Sequence, residues 1–220
     1  MKKLSLIALM MLTCIVASAQ TSTLVKLEEA GNQLKNMTAT FKETDYMAVP
    51  KKTVTLDGTM YFANGPKMSL KYKQADQKEL VINESMFYMR LGKKSLRVNT
   101  DSAYAVRQHR NVLIYCMQGK LRQLAADQGL SGKQQANIIT SEDGQHYVIT
   151  LVSKQKDAYY SKIKLLYSKE NNRLVMMRTE KMGGDYTIYE FSNIDEEAEI
   201  DPMVFALPQP KKNASANKSK

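Results

Sequence analysis

Residues 53–73 read TVTLDGTMYFANGPKMSLKYK. Val54, Leu56, Gly58, Met60 and Phe62 alternate with Thr53, Thr55, Asp57, Thr59 and Tyr61. Asn64-Gly65-Pro66 marks a turn, after which Met68, Leu70 and Tyr72 alternate with Lys67, Ser69, Lys71 and Lys73. A period of two sends successive side chains to opposite faces, so this stretch predicts antiparallel strands with one apolar and one wet face.

The same period extends outward. Met37, Ala39 and Phe41 alternate with Thr38, Thr40 and Lys42, while Thr23 to Met37 reads as an amphipathic helix with Leu24, Leu27, Gly31, Leu34 and Met37 at spacings of three and four. Downstream, strands are predicted at Leu80 to Ile82, Met86 to Leu91 and Leu96 to Val98. From Ser102 to Lys133 the pattern becomes helical, with Val106, Val112, Leu113, Cys116, Met117, Leu121, Leu124 and Ala125 apolar, and Gly129 to Gly132 ends that region. Period two resumes at Asn137 to Thr140 and passes through an Asp143-Gly144 turn into His146 to Val152. Tyr159 to Ser168, Leu174 to Met182 and Tyr186 to Ile194 follow, with Asn171-Asn172 and Gly183-Gly184 at the turns. The total is about eleven strands, one N-terminal helix and one central helical insertion. A mainly β fold of this kind is a large curved sheet or barrel with one greasy concave face. Two helical segments are the only material to cover that face, and incomplete cover leaves a cavity.

Composition bounds the function. The 220 residues carry 32 Lys+Arg against 22 Asp+Glu, a formal net charge of +10, with 43% apolar and 25% charged residues. This excludes a disordered or collagen-like chain. Lys2 and Lys3 precede an uncharged apolar run from Leu4 to Val16, and Ala17-Ser18-Ala19 supplies small residues for cleavage before Gln20. Residues 1–19 are therefore expected to be a secretory signal peptide, favoured over a lipoprotein signal at Cys14 because Met11-Leu12-Thr13 is a poor lipobox. Export removes cytosolic roles from consideration. Of two cysteines, Cys14 leaves with the signal and Cys116 stays alone, so a disulfide scaffold is excluded. Lys211 to Lys220 reads as a basic, disordered tail.

Catalytic signatures are sparse. His109 and His146 lie far apart in sequence without metal-ligand spacing, and each reads as an exposed surface histidine. No nucleophile elbow, Walker loop or dinucleotide turn occurs. Cys116 reads as a buried structural thiol, and the acidic run Asp195, Glu196, Glu197, Glu199 and Asp201 as a solvated loop in preference to a calcium site. Lys51-Lys52, Lys93-Lys94-Arg97, Arg107-Arg110 and Lys211-Lys212 form small basic groups, consistent with a solvated face or with attraction to anionic headgroups or an acidic partner, not with nucleic acid. Methionine is abundant, at 14 residues, and Trp is absent. Methionines in strands fit either core filler or a surface that accepts apolar partners of variable shape.

The order of features over the whole mature chain to about Pro208 resembles the periplasmic outer-membrane lipoprotein carriers, the LolA-like proteins. The matching elements are the amphipathic first helix, Met37-Thr-Ala-Thr-Phe41-Lys-Glu-Thr, Gly58-Thr-Met-Tyr-Phe62 leading to Pro66, the Met68-to-Tyr72 strand, Leu80-Val-Ile-Asn-Glu into Met86 to Met89, and Asp201-Pro-Met-Val-Phe205-Ala-Leu-Pro208. The resemblance implies a mainly β (α+β) fold, an unclosed antiparallel half-barrel with a helical lid over an apolar cavity. It implies a carrier domain over 20–208, with 209–220 as tail. It implies a non-enzymatic, monomeric periplasmic carrier without cofactor or metal. Its partners are acylated lipoproteins, an inner-membrane lipoprotein-releasing ABC transporter and an outer-membrane acceptor. A carrier or sensor of another lipid on the same fold, and an empty structural module, are the alternatives.

On this reading the acyl-chain-binding residues are Phe41, Met60, Phe62, Met68, Leu70, Leu80, Phe87, Met89, Ile163, Leu165, Met176 and Ile188. The lid residues are Leu24, Leu27, Leu34, Leu113, Met117, Leu121 and Leu124. A charge at Met68 or Phe62 is expected to abolish cargo uptake and leave the sheet folded. In the family a basic residue just before the proline helps latch the lid; Asn64 and Gly65 stand there in this chain, so the latch is expected from Arg90 or Arg97, or the lid rests differently.

Overall fold

The computed structural model describes residues 22–74, 78–127, 136–154 and 158–208. The expected signal peptide at 1–19, the tail beyond 208 and the Gly129–Gly132 helix stop lie outside them. Eleven strands occur among the described residues: β1 Asn36–Met47, β2 Lys52–Ala63, β3 Lys67–Tyr72, β4 Lys78–Asn83, β5 Met86–Leu91, β6 Lys94–Asn99, β7 Asn137–Glu142, β8 His146–Val152, β9 Lys162–Ser168, β10 Leu174–Glu180 and β11 Tyr186–Asp195. They form one antiparallel sheet in the order β6-β5-β4-β3-β2-β1-β11-β10-β9-β8-β7. The sheet does not close, because β6 and β7 are its two edges. Its centre joins the two ends of the chain, with Phe41 of β1 opposite Phe191 of β11 and Glu43 opposite Tyr189.

Among the described residues three helices cover one face: α1 over 22–33, α2 Tyr104–Met117 and α3 Leu121–Asp127. The first helix stops before the expected Met37. Met37 already belongs to β1, buried on the covered face, and Leu34 fills the connection between helix and strand. The central insertion is a hairpin of α2 and α3, closed where Asn111 Nδ2 donates to Asp127 Oδ2 (2.9 Å) and Gln108 Nε2 to the Asp127 carbonyl (3.2 Å). Among the described residues no helix is long and apolar enough to cross a membrane.

Glycine decides one close approach within the sheet. A Cβ at Gly58 would lie 2.1 Å from the Lys71 carbonyl oxygen, so β2 can press against β3 there only without a side chain. Irregularities in register at Thr38/Thr40 and at Leu174/Met176 bend the central and far strands.

The outer face is not wet throughout. The 3-10 turn Pro202–Phe205 packs on β3 and β4, and Ser69, Val81, Tyr88 and Phe205 are all buried there. Asn83 Nδ2 donates to the Phe205 carbonyl (3.2 Å) and Arg97 Nη1 to the Pro208 carbonyl (3.2 Å), which ties this segment down.

Candidate ligand-binding face and its helical cover

Strand registry aligns the inner face into apolar rows. Met37, Phe62, Met68, Ile82, Phe87 and Val98 stand in line from β1 to β6, beside a second row of Ala39, Met60, Leu70, Leu80, Met89 and Leu96. On the other wing Tyr189, Met177, Leu165 and Ile149 continue the face, beside Thr187, Thr179, Ile163 and Leu151. Leu24, Leu27, Leu34, Leu113, Met117, Leu121 and Leu124 belong to the same buried cluster as these strand residues. Sheet and helices thus share a single core, each covering the other's apolar surface.

Of the residues expected to bind acyl chains, Phe41, Met60, Phe62, Met68, Leu70, Leu80, Phe87, Ile163 and Leu165 are brought together on this face and buried. Met89 is half-buried and packs against them. Met176 and Ile188 are not among them: Met176 pairs with Glu190 and Ile188 with Arg178, on the outer face. The irregularity at Leu174/Met176 breaks the alternation of β10, so Leu174 and Met177 face inward three residues apart. Tyr189, not Ile188, takes the inner position of β11 by strand register, and there its hydroxyl has a buried partner.

That partner is Glu43, 2% exposed in the middle of an apolar face. Tyr72 and Tyr189 donate their hydroxyls to its carboxylate, the latter at 3.0 Å, and the Lys78 ammonium completes the shell. Lys78 also lies 3.4 Å from Asp45 Oδ2, and Asp45 Oδ1 accepts from Thr187 Oγ1 (2.6 Å). Burial raises the Glu43 pKa above the usual range, against the opposing pull of Lys78. The Tyr72 and Tyr189 hydroxyls, desolvated beside a carboxylate, are pushed up as well. Phe41 packs edge-on against Tyr72, with centroids 4.9 Å apart, and shields the group. No motif announced this cluster; an acidic residue at the inner parity of β1 was its only trace.

His109 also departs from expectation. Instead of facing solvent, its ring on α2 stands edge-on to Phe87 of β5 (centroids 5.9 Å) with Nδ1 2.8 Å from the Tyr160 hydroxyl. Burial, with Lys78 and Lys181 nearby, lowers its pKa to about 4. His146, whose side chain is partly exposed at the β7–β8 turn, pairs with Asp143 at 2.9 Å. Cys116 is fully buried, and its pKa is raised by desolvation. Among the described residues no three of His, Cys, Asp and Glu come together to hold a metal ion.

Polar contacts hold the helical cover at identifiable points. Arg173, buried beside the β9–β10 turn, donates from Nη1 to the Ala30 carbonyl of α1 (2.6 Å) and grips Glu196 through Nε and Nη2, both at 2.5 Å. Glu196 of the acidic run is thus half of an ion pair, while Asp195 and Asp201 accept from backbone amides of Glu197 and Met203. Lys26 Nζ donates to the Tyr147 hydroxyl (2.7 Å), and Tyr167 donates to the Cys116 carbonyl at the end of α2 (2.7 Å). Asn64 takes the place where the family resemblance put a basic residue: its Oδ1 accepts from Gln118 Nε2 (3.3 Å) and its amide donates to the Lys35 carbonyl (2.7 Å). Arg90 pairs with Glu79 at 3.4 Å, and Arg97 holds the C-terminal segment.

Met68 and Phe62 have no exposed surface, so a carboxylate at either would be buried beneath the helices without a partner. A folded sheet is not the outcome such a variant predicts.

An open groove of about 530 Å³ on the outer face is lined by Thr40, Phe41, Lys42, Thr55, Asp57, Glu190 and Ser192, with Lys42 and Glu190 paired at 3.6 Å.

Residues 32–208 match the family model described as outer membrane lipoprotein carrier protein LolA. No curated protein matches the chain. Solved structures that align with it include a DUF1329 family protein of Desulfovibrio piger, 13% identical, covering 87% of this chain and 97% of that one with a TM-score of 0.46. A LolA superfamily protein of Nitrosomonas europaea is 9% identical, covering 85% and 97%, with a TM-score of 0.42. The Mycobacterium tuberculosis lipoprotein LppX is 12% identical, covering 84% and 99%, with a TM-score of 0.45. The family match spans both wings of the sheet and most of the helical cover, and the chain belongs to the LolA outer membrane lipoprotein carrier family.

Proposed function

We propose that this protein is a periplasmic, non-enzymatic carrier that takes lipoprotein acyl chains onto the inner face of its sheet and moves them from the inner to the outer membrane. The observation that carries this reading is the single core shared by sheet and helices, with the helices held by a few polar contacts at their ends. An acyl chain of about fifteen methylenes costs on the order of 10 kcal/mol to expose to water, so it cannot cross an aqueous space uncovered. On the inner face it replaces Leu24, Leu27, Leu113, Met117 and Leu124 as the apolar neighbour of the strands. Apolar contact is exchanged for apolar contact, so loading and release both stay within a modest free-energy range. Met60, Met68, Met117 and Met177 suit this exchange, because an unbranched thioether side chain repacks against varied shapes. An inner-membrane ABC transporter would load the carrier and an outer-membrane acceptor would unload it.

Native mass spectrometry of the protein purified from periplasm without detergent tests the proposal. A bound triacylated lipoprotein supports it; a smaller lipid redirects the cargo; an empty protein that also fails to take up a fluorescent fatty acid refutes it. Met89, half-buried at the margin of the face, is the informative site for substitution. Met89→Asp is expected to weaken fatty-acid binding at least tenfold and to shift the melting temperature by only a few degrees.

A further inference from the structure

Antiparallel pairing places the connections β1–β2, β5–β6 and β10–β11 at one end of the sheet. Each carries one large apolar side chain in solvent: Val49 is 89% exposed, Leu91 63% and Met182 60%. Each is flanked by exposed lysines, Lys51 and Lys52 beside Val49, Lys93 and Lys94 beside Leu91, and Lys181 beside Met182. Two of these connections touch: the Ala48 amide donates to Asp185 Oδ1 at 2.9 Å. Just behind them Tyr46 and Tyr186 stack with centroids 4.8 Å apart, and the Arg178 guanidinium lies 3.9 Å over the Tyr186 ring. Tyr159 stands at the same end under the Lys181 ammonium, 5.4 Å away.

The opposite end is different in kind. Its turns are Asn64-Gly65-Pro66, Glu84-Ser85, Asp143-Gly144-Gln145 and Lys169 to Arg173; the cations of the last are paired, Lys169 with Glu142 and Arg173 with Glu196, and none of these turns exposes a large apolar side chain. A lone exposed Val or Leu on a surface needs no explanation. Here three stand on separate tips of one end, each beside lysines, and the Val49 and Met182 tips are also backed by tyrosines. A bilayer surface offers the matching chemistry: an apolar interior beneath an interface of anionic headgroups, at whose level Tyr is enriched. A protein partner fits this end less well, since among the described residues the exposed large apolar side chains sit singly on separate turns and make no continuous patch.

We propose that this end of the sheet is a docking surface for an anionic lipid bilayer, with Val49, Leu91 and Met182 entering the acyl boundary and Lys51, Lys52, Lys93, Lys94 and Lys181 meeting the headgroups. Binding of this kind is weak and reversible, since it combines shallow apolar insertion with salt-screened attraction. It brings the carrier to a membrane whatever its cargo, and it does not depend on the identity of that cargo.

Vesicle flotation of the full chain lacking its signal peptide is the test. Vesicles of phosphatidylcholine with about 30 mol % phosphatidylglycerol are compared with phosphatidylcholine alone, at about 0.1 M and 0.5 M salt. The protein is expected to float with the anionic vesicles at low salt and to be released at high salt. The triple variant Val49→Ser, Leu91→Ser, Met182→Ser and the quadruple variant Lys51→Gln, Lys52→Gln, Lys93→Gln, Lys94→Gln are each expected to bind at least tenfold more weakly with unchanged melting temperature. The chain has no Trp, so Leu91→Trp adds a unique reporter, whose emission should shift to the blue on anionic vesicles. Flotation of either variant like the wild type, equal binding to both vesicle types, or no binding to either would overturn the proposal. So would an unshifted Leu91→Trp emission on vesicles that carry the protein, which would place the contact elsewhere, as on the basic tail.

Discussion

Gly31 of α1 and Gly119 between α2 and α3 each lie against the backbone of the other's segment. A Cβ at Gly31 would fall 2.0 Å from the Gln118 carbonyl oxygen, and one at Gly119 would fall 2.2 Å from the Leu27 carbonyl oxygen. Gly119 also has φ +62, where an L side chain is strained. The two helical parts of the cover thus pack backbone to backbone, an approach that both positions permit only without a side chain. Gly31→Ala is expected to destabilise the protein by about 1–3 kcal/mol and to speed amide exchange in α1 and α2 more than in β1 or β2. Urea denaturation with residue-resolved hydrogen exchange reads both; uniform acceleration across the sheet would show that the contact supports the whole fold and not the cover.

Arg173 reaches α1 from the sheet side. Arg173→Met keeps the aliphatic packing but removes the donor to the Ala30 carbonyl and leaves Glu196 without its guanidinium. Glu196 is partly exposed and recovers hydration, so the expected loss is about 1–3 kcal/mol, less than for a fully buried pair. The fluorescent fatty acid should then bind faster, because the cover opens at lower cost. Stopped-flow association measures this, and an unchanged rate would remove Arg173 from the latch.

Lys78 neutralises the buried carboxylate of Glu43. In Lys78→Met that carboxylate loses its nearest cation, and its already raised pKa climbs further. A carboxyl whose folded pKa lies above its unfolded value contributes stability below the unfolded pKa, and that contribution is lost as pH rises through the folded one. The gap between variant and wild type should therefore be widest near neutral pH and close as the pH falls toward 4.5. Melting temperatures over that range test the sign.

His109 gives the opposite slope. Its folded pKa is lowered to about 4 from an ordinary 6.5, so the unfolded chain binds the proton first. Its contribution is present above pH 6.5 and is lost as the pH falls toward 4, by up to about 3 kcal/mol for a shift of this size. The charged groups acting on it are Lys78, Lys181 and Asp45. His109→Gln should flatten the acid limb of the stability profile between those values, and a limb as steep as the wild type's would assign the acid sensitivity to other groups.

Much of the architecture was legible in the one-dimensional pattern. Alternation in TVTLDGTMYFANGPKMSLKYK set the parity of β2 and β3, and Phe41, Met60, Phe62, Met68, Leu70, Leu80 and Phe87 all face inward as that parity requires. Spacings of three and four placed Leu24, Leu27, Leu113, Met117, Leu121 and Leu124 on the buried sides of helices. These are local properties of a backbone with period 2.0 or 3.6, and no distant contact is needed to read them. The pattern failed where two neighbours were both apolar, as at Met176-Met177, and where an extra residue broke the alternation of β10.

Three further features were decided only by the tertiary structure. The buried site of Glu43 exists because β1 pairs with both β2 and β11, which brings Tyr72, Lys78 and Tyr189 from far along the chain to one carboxylate. Asn64 and Arg173 came to hold the helical cover because hydrogen bonds to Gln118 and Ala30 depend on where the helices come to rest, not on a local sequence signal. His109 is turned inward by α2, onto Phe87 and Tyr160. The sequence by itself determined which side chains seek an interior, since hydrophobicity and backbone period are written residue by residue. Which polar groups follow them inside was settled by long-range pairing, because a buried charge or amide is tolerated only where the fold delivers its partner.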